Sequence, residues 1–151
     1  MKKEHSFSYT HYGSLDELAP EDRELVEAAK KASATAYAPS TGFRVGAAAR
    51  LADGTVIAAS NQESVVGPVG VCAERNLLYY HQANHVDNPI EALAITSDPD
   101  DSECYPCGMC RQVIADSENR QDIPIRVIMA GRDSATEVDT SLDLLPFFFN
   151  L

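Results

Sequence analysis

Two short cysteine segments, each leading directly into helix-forming sequence, constrain this chain more than any other feature. One reads Cys72-Ala73-Glu74-Arg75 and the other Pro106-Cys107-Gly108-Met109-Cys110. Residues three apart at a helix start lie on one face, so Cys107 and Cys110 can aim both sulfurs at a single point. Pro106 stands just ahead of that helix, where proline favours entry. The unpaired N–H groups of a helix start favour negative charge, and therefore thiolate, the form that binds metal. Cys72 begins a second helix and gains the same character. A fold that satisfies both segments has to bring two helix N-termini together around one ion. Three sulfurs then leave one tetrahedral corner open, which is the mark of a catalytic zinc site rather than a closed structural one.

Glu74 follows Cys72 by two residues, a spacing that does not share a helix face, so it is poorly placed as a further ligand. It can still reach a water whose pKa zinc brings down to about 7, and act on its proton. Three thiolates on one Zn²⁺ carry excess negative charge, and Arg75 is expected to offset it by hydrogen bonding to sulfur. Taken singly these residues mean little: a lone Cys is usually a small buried hydrophobe, and helical Glu and Arg are usually solvated. Their order, with the proline, resembles the arrangement of zinc deaminases. A rival pattern overlaps it. Cys104, Cys107 and Cys110 form a Cys-x₂-Cys-x₂-Cys run, similar to an iron–sulfur ligand series with Cys72 as a fourth member, or to a closed Cys₄ zinc site. Either would leave Glu74 without a role. Cys104 is read as incidental.

Bulk properties narrow the partners. The chain has 151 residues, 44% of them hydrophobic, which suits one soluble domain with a real core. Its net charge of −11, from 12 basic and 23 acidic residues, speaks against a nucleic-acid partner. Apolar runs are too short to span a bilayer, and no apolar run follows Met1-Lys2-Lys3-Glu4-His5, so the expected setting is cytoplasmic, without membrane or secretory signal. There, clustered cysteines point to metal rather than disulfides.

Residues 1–20 read as an N-terminal arm and residues 21–151 as one catalytic domain. A helix starts at Pro20-Glu21-Asp22, carries Leu25, Val26, Ala28, Ala29, Ala32, Ala36 and Tyr37 on its apolar face, and stops at Pro39. Phe43 to Leu51 and Thr55 to Ala59 read as strands joined by an Asp53-Gly54 turn. A helix from Cys72, a strand from Glu91 to Thr96, a helix from Cys107, a strand from Ile125 to Met129, a short strand at Glu137-Val138 and a short helix at Leu142 to Leu145 follow. The alternation predicts an α/β class, a three-layer α/β/α architecture around a mixed central sheet.

Beyond the cysteines, the chain resembles the cytidine deaminase family from about residue 21 to residue 149. Tyr37-Ala38-Pro39 and Phe43-Arg44-Val45-Gly46-Ala47-Ala48 are similar to the family's opening loop and first strand. Asn61-Gln62-Glu63 resembles its Asn-x-Glu motif, and Leu144-Leu145-Pro146 its C-terminal signature. The resemblance implies that Cys72, Cys107 and Cys110 bind one Zn²⁺ per subunit. It implies that Glu74 moves protons from the attacking water to ring N3 and to the departing ammonia. It further assigns Asn61 and Glu63 to ribose hydroxyls, and Phe43 and Ala73 to the substrate. A homotetramer is implied too, with Phe149 reaching a neighbour's site. Ser40 and Gly42 depart from the usual Tyr and Asn, and Gly67 lacks the aromatic side chain that usually helps wall the pocket. Cytidine and deoxycytidine are the expected substrates in pyrimidine salvage; a blasticidin-type amino-pyrimidine nucleoside is the alternative.

Overall fold

Alternating sets of large and small apolar residues along the central strands decide the architecture. Successive side chains of a strand point to opposite faces. In β2 (Arg44–Leu51), Ala47, Ala49 and Leu51 face one way and Gly46 and Ala48 the other; in β4 (Ile90–Asp98), Leu93 and Ile95 oppose Ala92 and Ala94. The larger set packs on Leu77 and Leu78 of α2 (Ala73–Asn84) and Ile114 of α3 (Gly108–Gln121). The smaller set packs on Leu25, Val26 and Ala29 of α1 (Pro20–Ser33). Small residues let α1 lie very close to the sheet. A Cβ on Gly46 would stand 1.8 Å from the carbonyl oxygen of Ala29, so only glycine fits there.

The computed structural model describes residues 1–151. Its remaining strands are β1 (Thr10–Tyr12), β3 (Val56–Ser60), β5 (Arg126–Ala130) and β6 (Ala135–Val138), and the sheet order is β1-β6-β5-β4-β2-β3. Only β4 and β5 run parallel, with α3 as their crossover; the other neighbours are antiparallel. One helix covers one face and two cover the other, which is the expected three-layer α/β/α arrangement with a mixed sheet. The hairpin between β2 and β3 turns at Gly54, whose φ of 88° is the left-handed conformation glycine supplies. The chain leaving β4 at its carboxyl end delivers Cys107 to the start of α3, the usual location of sites in open α/β sheets.

Two local differences from the sequence reading have clear causes. α1 ends at Ser33 rather than at Pro39, because residues 34–37 find other partners. The Tyr37 amide donates to the Asn61 carbonyl at 3.1 Å, and the Thr35 hydroxyl donates back to the Ala32 carbonyl at 2.8 Å. In the first twenty residues, Thr10–Tyr12 adds a strand to the β6 edge, with Thr10 opposite Glu137 and Tyr12 opposite Ala135. The Tyr12 hydroxyl donates to Glu137 Oε2 at 3.1 Å. Three residues without apolar alternation give no strand signal of their own; the open edge of β6 recruits them.

Buried carboxylates tie the layers together. Asp22 at the start of α1 receives a bidentate pair from Arg126 of β5, at 2.9 and 3.0 Å, and a third bond from Arg50 of β2 at 3.0 Å. Glu118 near the end of α3 accepts from the Ile125 amide, the Ser141 amide and hydroxyl, and the Thr140 hydroxyl, which fastens the C-terminal turn (Ser141–Leu144) beneath α3. No helix is long and apolar enough to cross a membrane.

Burial alone raises the Asp22 pKa, but the hydrogen bonds and charges of Arg126 and Arg50 outweigh it and hold the carboxyl below its ordinary value. A depressed folded-state pKa adds stability above the unfolded value, about 3.9, and loses it as pH falls through the folded one. Asp22→Asn should therefore cost about 3 kcal/mol at pH 7, since it leaves two arginines short of their partner. That penalty should begin to shrink below about pH 4, the unfolded value, and vanish as pH falls through the lower folded-state pKa, where wild-type Asp22 itself takes up a proton. Urea melts of both proteins across pH 2–7 measure this; parallel curves at every pH would refute it.

Candidate metal centre and substrate cleft

Cys72 is the N-cap residue of α2 and Cys107 that of α3, and neither side chain hydrogen-bonds to cap its own helix. Both sulfurs are thus free for another partner while sitting where unpaired N–H groups stabilise negative charge. Cys110, in the first turn of α3, completes the group and is fully buried. The three sulfurs lie within 4.8 Å of one another, with Cys72 and Cys107 at 3.9 Å. Tetrahedral zinc with bonds of about 2.3 Å requires sulfurs about 3.8 Å apart. The donor set therefore fits Zn²⁺, with Cys72 and Cys107 already at the required spacing and the third sulfur within about 1 Å of it.

Neither Cys104 nor Glu74 belongs to the group, so the protein supplies three ligand atoms and not four. Cys104 lies in the core against the sheet, where burial pushes its thiol up to about 12. It is a neutral, hydrophobic-type cysteine at this pKa. The overlapping Cys-x₂-Cys-x₂-Cys spacing accordingly does not converge on one ion, and the closed four-cysteine and iron–sulfur patterns fall away.

The electrostatics suit an ion held by sulfur. A hydrogen bond from the Cys110 thiol, with help from Arg75 and Cys107, brings Cys72 down to about 5 against the opposing effect of burial. Cys110 moves the other way, because its thiol donates to Cys72 and because it is buried. Arg75 Nη2 lies 3.8 Å from Cys72 Sγ, and its Nε is buried with no partner. Arg75 thus stands beside the clustered sulfurs with a donor to spare. Glu74 is 3% exposed and forms no ion pair. Burial, aided by the charge on Cys72, pushes its carboxyl up to about 7, so it can exchange a proton near neutrality.

Arg111 holds this loop in place. Its Nε donates to the Pro106 carbonyl at 2.9 Å and its Nη1 to the Leu144 carbonyl at 3.0 Å, joining the second cysteine segment to the C-terminal turn. Sequence reading missed this role. Arginine directed at backbone carbonyls has no charge partner that a motif could reveal.

Beside the cysteines opens a cleft of about 360 Å³, bordered by Thr41, Asn61, Glu63, Gly67, Cys72 and Arg75. A larger hollow of about 830 Å³ lies under the N-terminal arm, between Phe7, Tyr9, Glu103 and Arg111, away from the three sulfurs. Asn61 and Glu63 reach the cleft already engaged. Asn61 Oδ1 accepts from the Val45 amide at 2.7 Å, and its Nδ2 donates to the Phe43 carbonyl at 3.0 Å. An amide side chain offers two donors and two acceptor sites, so Asn61 keeps one of each. Glu63 Oε2 accepts from the Ser40 amide at 2.7 Å, and Oε1 from the Thr41 amide at 3.3 Å and from the Thr41 hydroxyl. These bonds, the hydroxyl's first, hold its carboxyl below the ordinary value. A carboxylate has about four acceptor sites, which leaves Glu63 about one for a ligand.

The other expected substrate contacts are placed differently. Phe43 stands half exposed just before β2 and does not border this cleft. Ala73 buries its side chain in the core; only its backbone N–H, at the first position of α2, remains for a ligand. Phe149 is 71% exposed, lies outside the cleft, and has its carbonyl bound by Gln112 Nε2 at 2.9 Å. The donors of Ser40 and Thr41 were not foreseen. Their direction is set by Gly42, whose φ of 68° turns the loop, and that glycine was the available signal.

Comparison with known proteins agrees with this geometry. Residues 19–124 match the family model described as the cytidine and deoxycytidylate deaminase zinc-binding region. A cytidine deaminase of Sporosarcina psychrophila is 34% identical over 83% of this chain and 89% of its own length. A blasticidin-S deaminase of Bacillus cereus is 33% identical over 84% of this chain and 93% of its own. The crystal structure of cytidine deaminase from Burkholderia pseudomallei superposes with a TM-score of 0.72 at 33% identity, over 83% of this chain and 97% of that one. Three sulfurs spaced for zinc at two helix starts, within a matched zinc-binding region and fold, show that the chain belongs to the cytidine deaminase family of zinc-dependent hydrolases.

Proposed function

We propose that this chain hydrolyses the 4-amino group of cytidine and deoxycytidine, giving the uracil nucleoside and ammonia, with residues 21–151 as its catalytic domain. One observation carries the reading: three sulfurs that leave a fourth corner open stand next to a buried carboxylate that forms no ion pair. Cys72, Cys107 and Cys110 would hold Zn²⁺, with Arg75 balancing their charge. Zinc in such a site supplies Lewis acidity that activates water at neutral pH. Glu74 takes a proton from the attacking water and passes it to N3 of the ring, which makes C4 electrophilic. It then carries a second proton to the leaving amino group, so that one water is consumed and one ammonia released. Its burial excludes bulk water from that transfer.

Asn61 and Glu63 serve the sugar. Their remaining donor and acceptor sites are few and fixed in direction, and such sites discriminate strongly against a ligand lacking the matching hydroxyl. Phe43 and the Ala73 amide complete the substrate contacts once the cleft is filled. Phe147 and Phe149 are 95% and 71% exposed, and Val65, Val66, Val69 and Met109 are exposed as well. So much apolar surface favours burial in a partner, and a homotetramer in which Phe149 enters a neighbour's site accounts for it. Four free cysteines suit the reducing cytoplasm. A bulkier amino-pyrimidine nucleoside of the blasticidin type is the second reading, favoured by Gly67, where even an added Cβ would meet nothing within 4 Å.

A panel of cytidine, deoxycytidine and blasticidin S, followed by ultraviolet absorbance, separates these substrates. Glu74→Gln should keep zinc and fold but lower kcat at least about a thousandfold, the scale of a lost general acid–base. Near wild-type turnover in that variant would refute the proton transfer. Burial raises Glu74 and a neighbouring dication lowers it, so kcat/KM should rise with pH through an acid limb below about pH 7, as the carboxyl ionises. Truncation before Phe147 should split the assembly or raise KM for cytidine; an intact tetramer with normal kinetics would remove Phe149 from the site.

A further inference from the structure

Thr41 lies on an exposed loop and touches neither the cysteines nor Glu74, yet its hydroxyl joins the two substrate-side elements of the cleft. The Phe43 amide donates to Thr41 Oγ1 at 3.1 Å, and the hydroxyl in turn donates to Glu63 Oε1. With an amide hydrogen occupying one lone pair of Oγ1, the hydroxyl proton is directed at the carboxylate. The Phe43 carbonyl meanwhile receives the Asn61 side chain at 3.0 Å. Thr41, Glu63, Phe43 and Asn61 thus form one connected chain of hydrogen bonds along the cleft rim. Gly42, with φ of 68° and its amide donating to the Ala38 carbonyl at 2.9 Å, sets the turn that makes this closure.

Without the hydroxyl, Glu63 would keep only the two loop amides, one of them at a long 3.3 Å. Its Oε1 would be free to rotate away or to take water. The carboxylate's remaining acceptor site would lose its fixed direction, which is what a ligand hydroxyl reads. Hydrogen bonds to a charged group are also the stronger kind, so this one has weight even near the surface.

We propose that Thr41 is a positioning residue for the sugar side of the cleft: its hydroxyl, aligned by the Phe43 amide, fixes the Glu63 carboxylate toward one hydroxyl of a bound nucleoside. This rests on the reading of the cleft as a nucleoside site. It predicts an effect on substrate binding and none on the chemistry at the ring, because the three sulfurs and Glu74 stand apart from this chain of bonds.

The test uses the full-length zinc-loaded protein and cytidine. Thr41→Val keeps the shape and removes the hydroxyl; it should raise KM about five- to tenfold and keep kcat within about twofold, as expected for lost binding shared by ground and transition states. Thr41→Ser should restore KM. In a Glu63→Ala background, which removes the acceptor, the same Thr41→Val change should have almost no further effect, since both act through one interaction. Equal KM losses in both backgrounds, a fall in kcat alone, or no change in Thr41→Val would overturn the proposal. Thermal melting and zinc content of each variant identify any that misfold; for those, Thr41→Ser alone decides, by keeping or losing wild-type KM. A wild-type protein that deaminates no cytidine would instead refute the nucleoside reading itself, before any Thr41 variant is compared.

Discussion

The structure depends on keeping three sulfurs within 4.8 Å of one another at the meeting point of two helix starts. Clustered thiolates repel, and burying them without compensation is costly. The fold lowers that cost in three ways. Each helix start offers unpaired N–H groups to the charge, Arg75 adds a full cation with a donor to spare, and one thiol hands its proton toward another. The last effect explains why Cys72 and Cys110 move in opposite directions although they sit in the same cluster. A dication removes the conflict altogether, which couples metal binding to the stability of the fold.

Holding the two helix starts together is the work of the sheet and of α1. The helices α2 and α3 rest on the larger side chains of β2 and β4, so their N-termini are fixed by core packing rather than by loops. On the other face, α1 comes near enough to touch backbone at Gly46, and the Asp22 bonds to Arg50 and Arg126 lock it across β2 and β5. Arg111 then ties the loop carrying Cys107 to the C-terminal turn, and Glu118 ties that turn to α3 and β5. A rigid frame surrounds the metal ligands. Such support is what a site needs to hold ligands in place to within fractions of an ångström.

Much of this was legible from residues alone. Cysteine spacing, a proline ahead of a helix and alternating strands each obey a local rule that sequence expresses directly, and the three-layer architecture follows from them. What escaped were features that depend on a distant partner. Thr10–Tyr12 becomes a strand only because β6 offers an edge, and α1 stops at Ser33 only because Tyr37 pairs near Asn61. Arg111 and Glu118 act on backbone groups, which no residue pattern records. Within the cleft, Asn61 and Glu63 could be named, but not the bonds that already occupy most of their capacity.

That occupancy bears on how the two halves of the site can change independently. Glu74 and the cysteines belong to helices packed in the core, where small shifts propagate. Ser40, Thr41 and Gly42 belong to an exposed loop bound to Glu63, to the Phe43 amide and to the turn at Gly42. On the proposed reading, a residue change there would alter how a ligand's hydroxyls are met without moving a sulfur, while Gly67 leaves open space on the cleft's other side. The proposed ring chemistry would therefore be anchored in the core and substrate selection in the loops. On that reading, such a division of the fold would let the accepted nucleoside vary on an unchanged proton-transfer apparatus.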